Sequence, residues 1–214
     1  DASRVKGILA ETLPTFKPDL IYTYGTPNTL AVAGPYDAAD GSSFVHDIPV
    51  VFALVAAPVP TKIAPSVASS GRNVTGAVHV VPTDVQMRAM QTYKSFSKVG
   101  VIYSPNESNS PDTFLATVFN RIAPVAIDVG LPTFGSTEFF LREGDGLVGL
   151  VSRYYSVGQL AASKAVQILV EKRAPKDIPI ETLKRFALII NMKVAKRLSV
   201  YPPIVMLNYA EVIA

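Results

Sequence analysis

The chain has 214 residues, 49% of them hydrophobic, with mean hydropathy +0.29, a formal charge of +3 and no cysteine. That length can bury a real core as one large domain or two small lobes. Disulfides, thiolate metal sites and cysteine nucleophiles are excluded, and no apolar run approaches the length of a membrane span.

In chain order, the segment VKGILAETL reads as a helix that Pro18 stops. Residues 19–25, DLIYTYG, form a strand ending at a glycine, and PNTLAVAG opens a helix with Pro27 in its first turn, where a missing N–H costs nothing. The continuous apolar run IPVVFALV at 48–55 marks a strand buried on both faces of a parallel sheet. TKIAPSVASSG is read as a short, imperfect helix, NVTGAVHVV at 73–81 as a strand, and 82–96 as a helix capped by Thr83 or Asp84. KVGVIYS is the next strand, and DTFLATVFNRIAPVAIDVG is helical, kinked or split at Pro124. LPTFGS and GLVGLVS are short strands, and 157–173 is the clearest helix in the chain. A strand region at 178–191, a helix over MKVAKRL and a short closing helix over PPIVMLNYAEVI complete the order. Strands alternating with helices predict an α/β fold with doubly wound parallel sheets.

Two places break this pattern. The chain begins on a helix, DASRVKGILAETL, with no opening strand and no signal peptide, as in an intracellular protein or a mature chain that has lost its leader. The turn YSPNESNS then runs straight into PDTFLATVF, where a strand end needs its own crossover helix. We therefore expect a missing N-terminal unit, and a missing helix–strand–helix of roughly 30–50 residues between Ser110 and Pro111. The charge is also uneven, −3 over residues 1–149 and +6 over 150–214. The basic residues lie at helical spacing without interleaved aromatics, which reads as a solvated face, with a partner-docking surface as the second reading.

In open α/β sheets ligands bind at the carboxyl ends of strands. Those ends supply Gly25, Thr26, Pro27 and Asn28, then Ala56, Ala57 and Pro58, then Asn106, Glu107, Ser108, Asn109 and Ser110, then Asp112 and Thr113, and finally Ser136 and Thr137. Hydroxyls and amides with two carboxylates suit holding a solute better than transforming it. GTPNTL offers helix N–H groups to an anion, and Glu107 or Asp112 could neutralise an ammonium. The competing reading is that Thr26, Ser110 and Thr113 simply cap their helices.

Enzyme signatures are weak. GDGLVG at 144–149 has dinucleotide-motif spacing but lies outside a strand–helix turn, so it reads as a glycine-rich strand entry. A phosphate-binding loop and a nucleophile elbow are absent, and His46 and His79 lack companion ligands. The glycosylation patterns NVT and NES are read as chance, and no cofactor or metal is expected.

The segments PDLIYTYGTPNTLA, DIPVVFALVAAPV, GRNVTGAVHVVPT, VGVIYSPNESNS and LPTFGSTEFFLREGDGLVGLVSRYYSVGQLAA, followed by FALIINMKVAKRL and AEVI, occur in this order. The series resembles the ABC-transporter substrate-binding proteins whose studied members bind tryptophan or phenylalanine. The resemblance implies two Rossmann-like lobes of the type I periplasmic binding protein kind, with a small solute trapped by hinge closure. It implies lobes over 1–81 with about 150–177 and over 96–142 with about 178–214, and hinge crossings near 82–95 and 143–149. Its G-T-P turn corresponds to Gly25, Thr26 and Pro27, its E-x-N-S turn to Glu107, Asn109 and Ser110, and its D-[ST] turn to Asp112 and Thr113. The family commonly has Asp-Pro after the P-V-V-F strand, where this chain has Ala57-Pro58, so a less polar solute or an acid without an amine becomes a candidate ligand beside an aromatic amino acid. The implied protein is a monomeric, periplasmic or lipid-anchored receptor that docks on a permease in the inner membrane, with no enzyme activity. The alternatives are an intracellular effector-sensing domain of a transcription regulator and, third, an α/β enzyme.

Overall fold

The apolar run at 48–55 becomes the centre of the first of two compact units. The computed structural model describes residues 2–100 and 123–214. They divide into one unit of residues 1–79 and 154–184 and a second of 80–153 and 185–214, so the chain passes between units at 79/80, 153/154 and 184/185. The expected boundaries shift accordingly. Residues 178–184 belong to the first unit, and the segments 82–95 and 143–149 lie within the second instead of at the crossings.

The first unit carries helix α1 (Ala2–Thr12), strand β1 (Ile21–Tyr24), helix α2 (Thr26–Ala33), strands β2 (Val50–Val55) and β3 (Val74–Val78), helix α6 (Tyr154–Leu169) and strand β6 (Glu181–Thr182). Its sheet runs β1-β2-β3-β6 with every pairing parallel. Alternation along β2 separates two buried layers. Val50 and Phe52 join Val32, Ala33 and Ile63, with Val5 and Leu9 of α1 packed on that cluster. Val51 and Ala53 join Ala77 and the α6 residues Val157, Ala161 and Ile168. Both faces of β2 are therefore covered, which is why its sequence is unbroken hydrophobic. The register slips between Ala53 and Val55, and Leu54 there has φ 58°. This bulge reverses the alternation, so Val55 joins the Val50–Phe52 layer.

Residues 61–71, expected as a short helix, form turns instead. The Ile63 and Ala64 N–H groups both donate to the Pro58 carbonyl, and the Arg72 guanidinium donates to the Ile63, Gly34 and Ala33 carbonyls. Those bonds satisfy the backbone without helical geometry, while burial lowers the Arg72 pKa. Lys164 is fully buried on α6, and its Nζ donates to the Pro179 carbonyl at 2.6 Å and Glu181 Oε2 at 2.7 Å. Thr75 Oγ1 donates to the Ile178 carbonyl at 2.7 Å. These two hooks hold residues 178–182 along β3.

The second unit carries α3 (Thr83–Tyr93), α4 (Ala123–Asp128), β4 (Phe134–Gly135), α5 (Glu138–Glu143), β5 (Val148–Val151), β7 (Ala187–Asn191), α7 (Met192–Leu198), α8 (Ile204–Leu207) and β8 (Glu211–Ile213). Its sheet order is β4-β5-β7-β8, and β5 pairs antiparallel with β7. That departs from the all-parallel expectation. The chain enters β7 from the first unit, so no crossover helix of this sheet dictates a parallel return. Helix α3 begins after Pro82 with no side-chain cap, so neither Thr83 nor Asp84 caps it. Residues 211–213, expected as the end of a closing helix, add a strand beside β7. The glycine-rich entry to β5 has a packing cause: Gly149 pairs with Gly135, and a Cβ on Gly149 would meet the Gly135 carbonyl oxygen.

Candidate functional site

At the carboxyl edge of the first sheet, Gly25 leaves β1 with φ 79°, a conformation a side chain resists, and its N–H donates to the Ala53 carbonyl at 2.9 Å. Gly25 is the residue preceding α2, and no side chain caps that helix. The competing reading of Thr26 as a cap therefore falls. Thr26 lies within the first turn, is 3% exposed, and its hydroxyl has no hydrogen-bond partner. Pro27 removes one N–H, leaving those of Thr26 and Asn28 ahead of the helical ladder. Buried polar groups without partners are rare in folded proteins, and together with the positive end of the helix they favour an anion.

The turn is tied back tightly. Thr29 Oγ1 donates to the Gly25 carbonyl at 2.8 Å, and Thr29 N–H reaches the same oxygen at 3.2 Å. Asn28 Nδ2 donates to the Tyr24 carbonyl at 2.9 Å, so one of the two amide protons of this expected ligand contact is used within the chain. After β2 the chain continues through Ala56 and Ala57, both half-buried and directly beyond the Leu54 bulge. Thr61 donates to the Ala57 carbonyl with both N–H, at 3.0 Å, and Oγ1, at 2.6 Å. Pairing of β1 with β2 places Gly25–Asn28 and Ala56–Ala57 at the same edge of the sheet.

His79 is a neighbour that the sequence reading weighed only as a metal ligand. It follows β3 at this same edge, its Nδ1 is buried without a hydrogen-bond partner, and its ring meets Tyr154 edge-on at 6.4 Å. Burial lowers its pKa, against an opposing pull from the Val55 backbone, so the imidazole is neutral at pH 7. The signal available in the sequence was its position at a strand end, the criterion that selected Thr26. In the second unit Ser136 is exposed after β4, while Thr137 caps α5 by accepting from Phe140 N–H at 3.3 Å. Ser152, directly after β5, is 2% exposed with an unpartnered hydroxyl and was also missed. Glu107, Asn109, Ser110, Asp112 and Thr113 lie outside the described residues. Among the described residues no cluster of three metal-ligating side chains occurs, and no helix is long and apolar enough to cross a membrane.

The family model for ABC transporter substrate binding proteins matches residues 7–114 and 110–213. The chain belongs to that family. The two matched segments overlap at 110–114, where the sequence reading expects a missing helix–strand–helix. A tyrosine-binding protein of Clostridioides difficile is 24% identical over 237 aligned positions, which cover 89% of this chain and 66% of that relative. The chain thus spans about two thirds of the curated relative it matches. Because 237 positions exceed the 214 residues present, the alignment includes positions this chain lacks.

Solved structures share the fold. A conserved domain protein from Vibrio cholerae superposes with TM-score 0.77 at 20% identity, covering 99% of this chain and 83% of its own. A domain from Streptococcus pneumonia in complex with L-tryptophan gives 0.72 at 21% identity, covering 100% and 86%. A ligand-free, open substrate-binding protein with adhesive properties from Clostridium difficile gives 0.72 at 18% identity, covering 100% and 83%. The α/β architecture, with one parallel and one mixed sheet, is the fold these structures share.

Proposed function

We propose that this family member is the solute-binding component of an ABC importer, taking a small carboxylate-bearing ligand of the aromatic amino acid or aromatic acid class. The observation that carries this reading is the uncapped α2 N-terminus with the buried, unpartnered Thr26 hydroxyl. In a family of substrate-binding proteins, that constellation is a receptor for a ligand carboxylate. Relatives that bind tyrosine and tryptophan support the aromatic class. Gly25, Thr26 and Pro27 form the cradle, Ala56 and Ala57 its wall, and Asn28 braces it. By resemblance, Glu107, Asn109, Ser110, Asp112 and Thr113 are the proposed contacts of the other lobe, and Ser136 is added to them as a strand-end residue.

Such a protein performs no bond chemistry: the ligand is held, delivered to a permease and released, on the outer side of the inner membrane. Binding is favoured only by the state that makes the ligand's contacts, so occupancy shifts the population toward it. The test is thermal unfolding of the parent protein with L-tryptophan, L-tyrosine, L-phenylalanine, indole-3-propionate and phenylpropionate. A ligand at 100 times its Kd should add about 2.7 kcal/mol of stability. Binding by none of these compounds overturns the reading.

A further inference from the structure

The carboxyl edge of the first sheet contains two copies of one device. Thr29 donates its hydroxyl proton to the carbonyl of Gly25, four residues earlier, and Thr61 donates to the carbonyl of Ala57, also four residues earlier. Each threonine N–H reaches the same carbonyl as its hydroxyl, at 3.2 Å for Thr29 and 3.0 Å for Thr61. Both strand-end carbonyls therefore receive two donors, which is the full capacity of a carbonyl oxygen. Asn28 Nδ2 occupies the Tyr24 carbonyl in the same turn.

The protons can be traced. A hydroxyl has one proton and two lone pairs. Thr29 gives its proton to Gly25, so in the buried 2.9 Å contact between Thr23 Oγ1 and Thr29 Oγ1 the donor must be Thr23. A directed chain runs from Thr23 to Thr29 to the Gly25 carbonyl, with Thr23 and Thr29 buried at 4% and 0% exposure. Polarised chains of this kind strengthen each bond in them.

We infer that Thr29 and Thr61 are positioning residues that consume the Gly25 and Ala57 carbonyl acceptors of the two strand-end turns, so that these turns present donors and select a carboxylate over a neutral amide. This rests on the receptor reading above. What the Gly25 turn leaves available is the Thr26 hydroxyl, the backbone N–H groups of Thr26 and Asn28, and the second N–H and the Oδ1 of the half-buried Asn28 side chain. A carboxylate only accepts hydrogen bonds and can meet the hydroxyl and both backbone N–H groups. A primary amide brings two N–H donors to two turns whose Gly25 and Ala57 carbonyls are already filled, and an ammonium is worse. The Ala57 side chain adds no acceptor. The carboxyl end of the ligand faces this unit, and any amine it carries is met elsewhere.

The protein contains no tryptophan, so indole emission reports the ligand alone. Indole-3-propionate and its primary amide, with L-tryptophan and L-tryptophanamide, are titrated against the parent and the variants Thr29→Val, Thr29→Ser, Thr61→Val and Thr61→Ser. The parent should bind each acid at least tenfold more tightly than its amide. Thr29→Val should weaken acid binding tenfold or more and compress the acid-to-amide ratio, and Thr61→Val should do the same to a smaller degree. Both serine variants, which keep the proton, should stay within threefold of the parent. Far-UV circular dichroism and melting identify any valine variant that fails to fold; the serine rescue and the surviving valine variant then decide.

Equal binding of acid and amide by the parent overturns the inference while leaving the receptor reading intact. Valine variants that weaken acid and amide alike, or serine variants no better than valine, also overturn it, because they mark a purely structural role. If the parent binds neither acid, the receptor reading itself fails.

Discussion

The two units solve the same packing problem with different means. In the first, every strand pairing is parallel and both faces are covered, and side-chain donors inside or beside the core fasten the chain that flanks the sheet: Lys164 and Thr75 on residues 178–181, Arg72 on the end of α2, Thr29 and Thr61 on the strand-end turns. In the second, a mixed sheet closes on glycines that let backbones touch, and its charges pair near the surface, where Glu138, Arg142, Arg153 and Glu211 form one network. A parallel sheet leaves long connections whose backbone groups need partners. The first unit supplies them from side chains, and one such arrangement leaves donors over for a ligand. The second unit relies more on close contact, although Asn191 Nδ2 and the Tyr93 hydroxyl also donate there to the Leu141 and Val200 carbonyls, and Gly76 allows a similar backbone approach in the first unit.

The comparison breaks most readily at Gly149. A methyl group there would meet the Gly135 carbonyl, which belongs to the paired strand and cannot rotate away. Gly149→Ala should cost about 3 kcal/mol, the upper end of overpacking penalties, read by urea unfolding. Hydrogen exchange should localise the damage to β4 and β5. If the loss spreads equally over the first unit, the two do not rely on separate devices.

Lys164→Met retains the length of the side chain and removes its donor. The Pro179 carbonyl loses its 2.6 Å partner, whereas Glu181, 45% exposed, can rehydrate. Because Pro179 is exposed and its carbonyl retains Thr75 Oγ1 at 3.4 Å, the expected loss is about 1 kcal/mol, the net worth of a typical hydrogen bond, with faster hydrogen exchange over residues 178–182. Unchanged stability would show that hydrophobic packing alone holds β6.

The smallest effect belongs to the charge network of the second unit. A hydrogen bond from Arg142 holds the Glu211 carboxyl below the usual carboxylate range, with a further contribution from Arg153. A depressed folded-state value means that this stabilisation is present above the unfolded glutamate pKa of about 4.3 and is lost as pH falls through the folded value. Glu211→Gln should therefore cost less than about 1 kcal/mol near neutrality, because the partners are 30–43% exposed. The difference from the parent should vanish in acid and shrink with added salt. A difference that persists at acid pH would show a packing role and not a charge role.

Much of the fold was legible in the residues. The apolar run at 48–55, the glycine and proline around β1 and α2, and the clean periodicity of α6 report local geometry that any compact structure must respect. The misplaced elements share a cause. Residues 61–71 lose a helix because groups outside the segment, the Pro58 carbonyl, the Arg72 guanidinium and the Tyr36 N–H, take their backbone partners. Residues 211–213 become a strand because β7 has a free edge beside them. The antiparallel pairing of β7 follows from where the chain has come from, which periodicity does not encode.

The candidate site divides in the same way. That Gly25-Thr26-Pro27 forms a turn ahead of a helix follows from the residue types, since glycine permits the positive φ and proline tolerates the first helical turn. Which of the neighbouring hydroxyls is spent and which is left over does not. Thr23, Thr26 and Thr29 are the same residue within seven positions, yet two bond into a chain that ends on Gly25 and one remains without a partner. Residue type specified the turn and supplied three hydroxyls. Tertiary packing chose among them, because a hydroxyl rotates to the nearest available acceptor and only the folded chain determines where that acceptor lies.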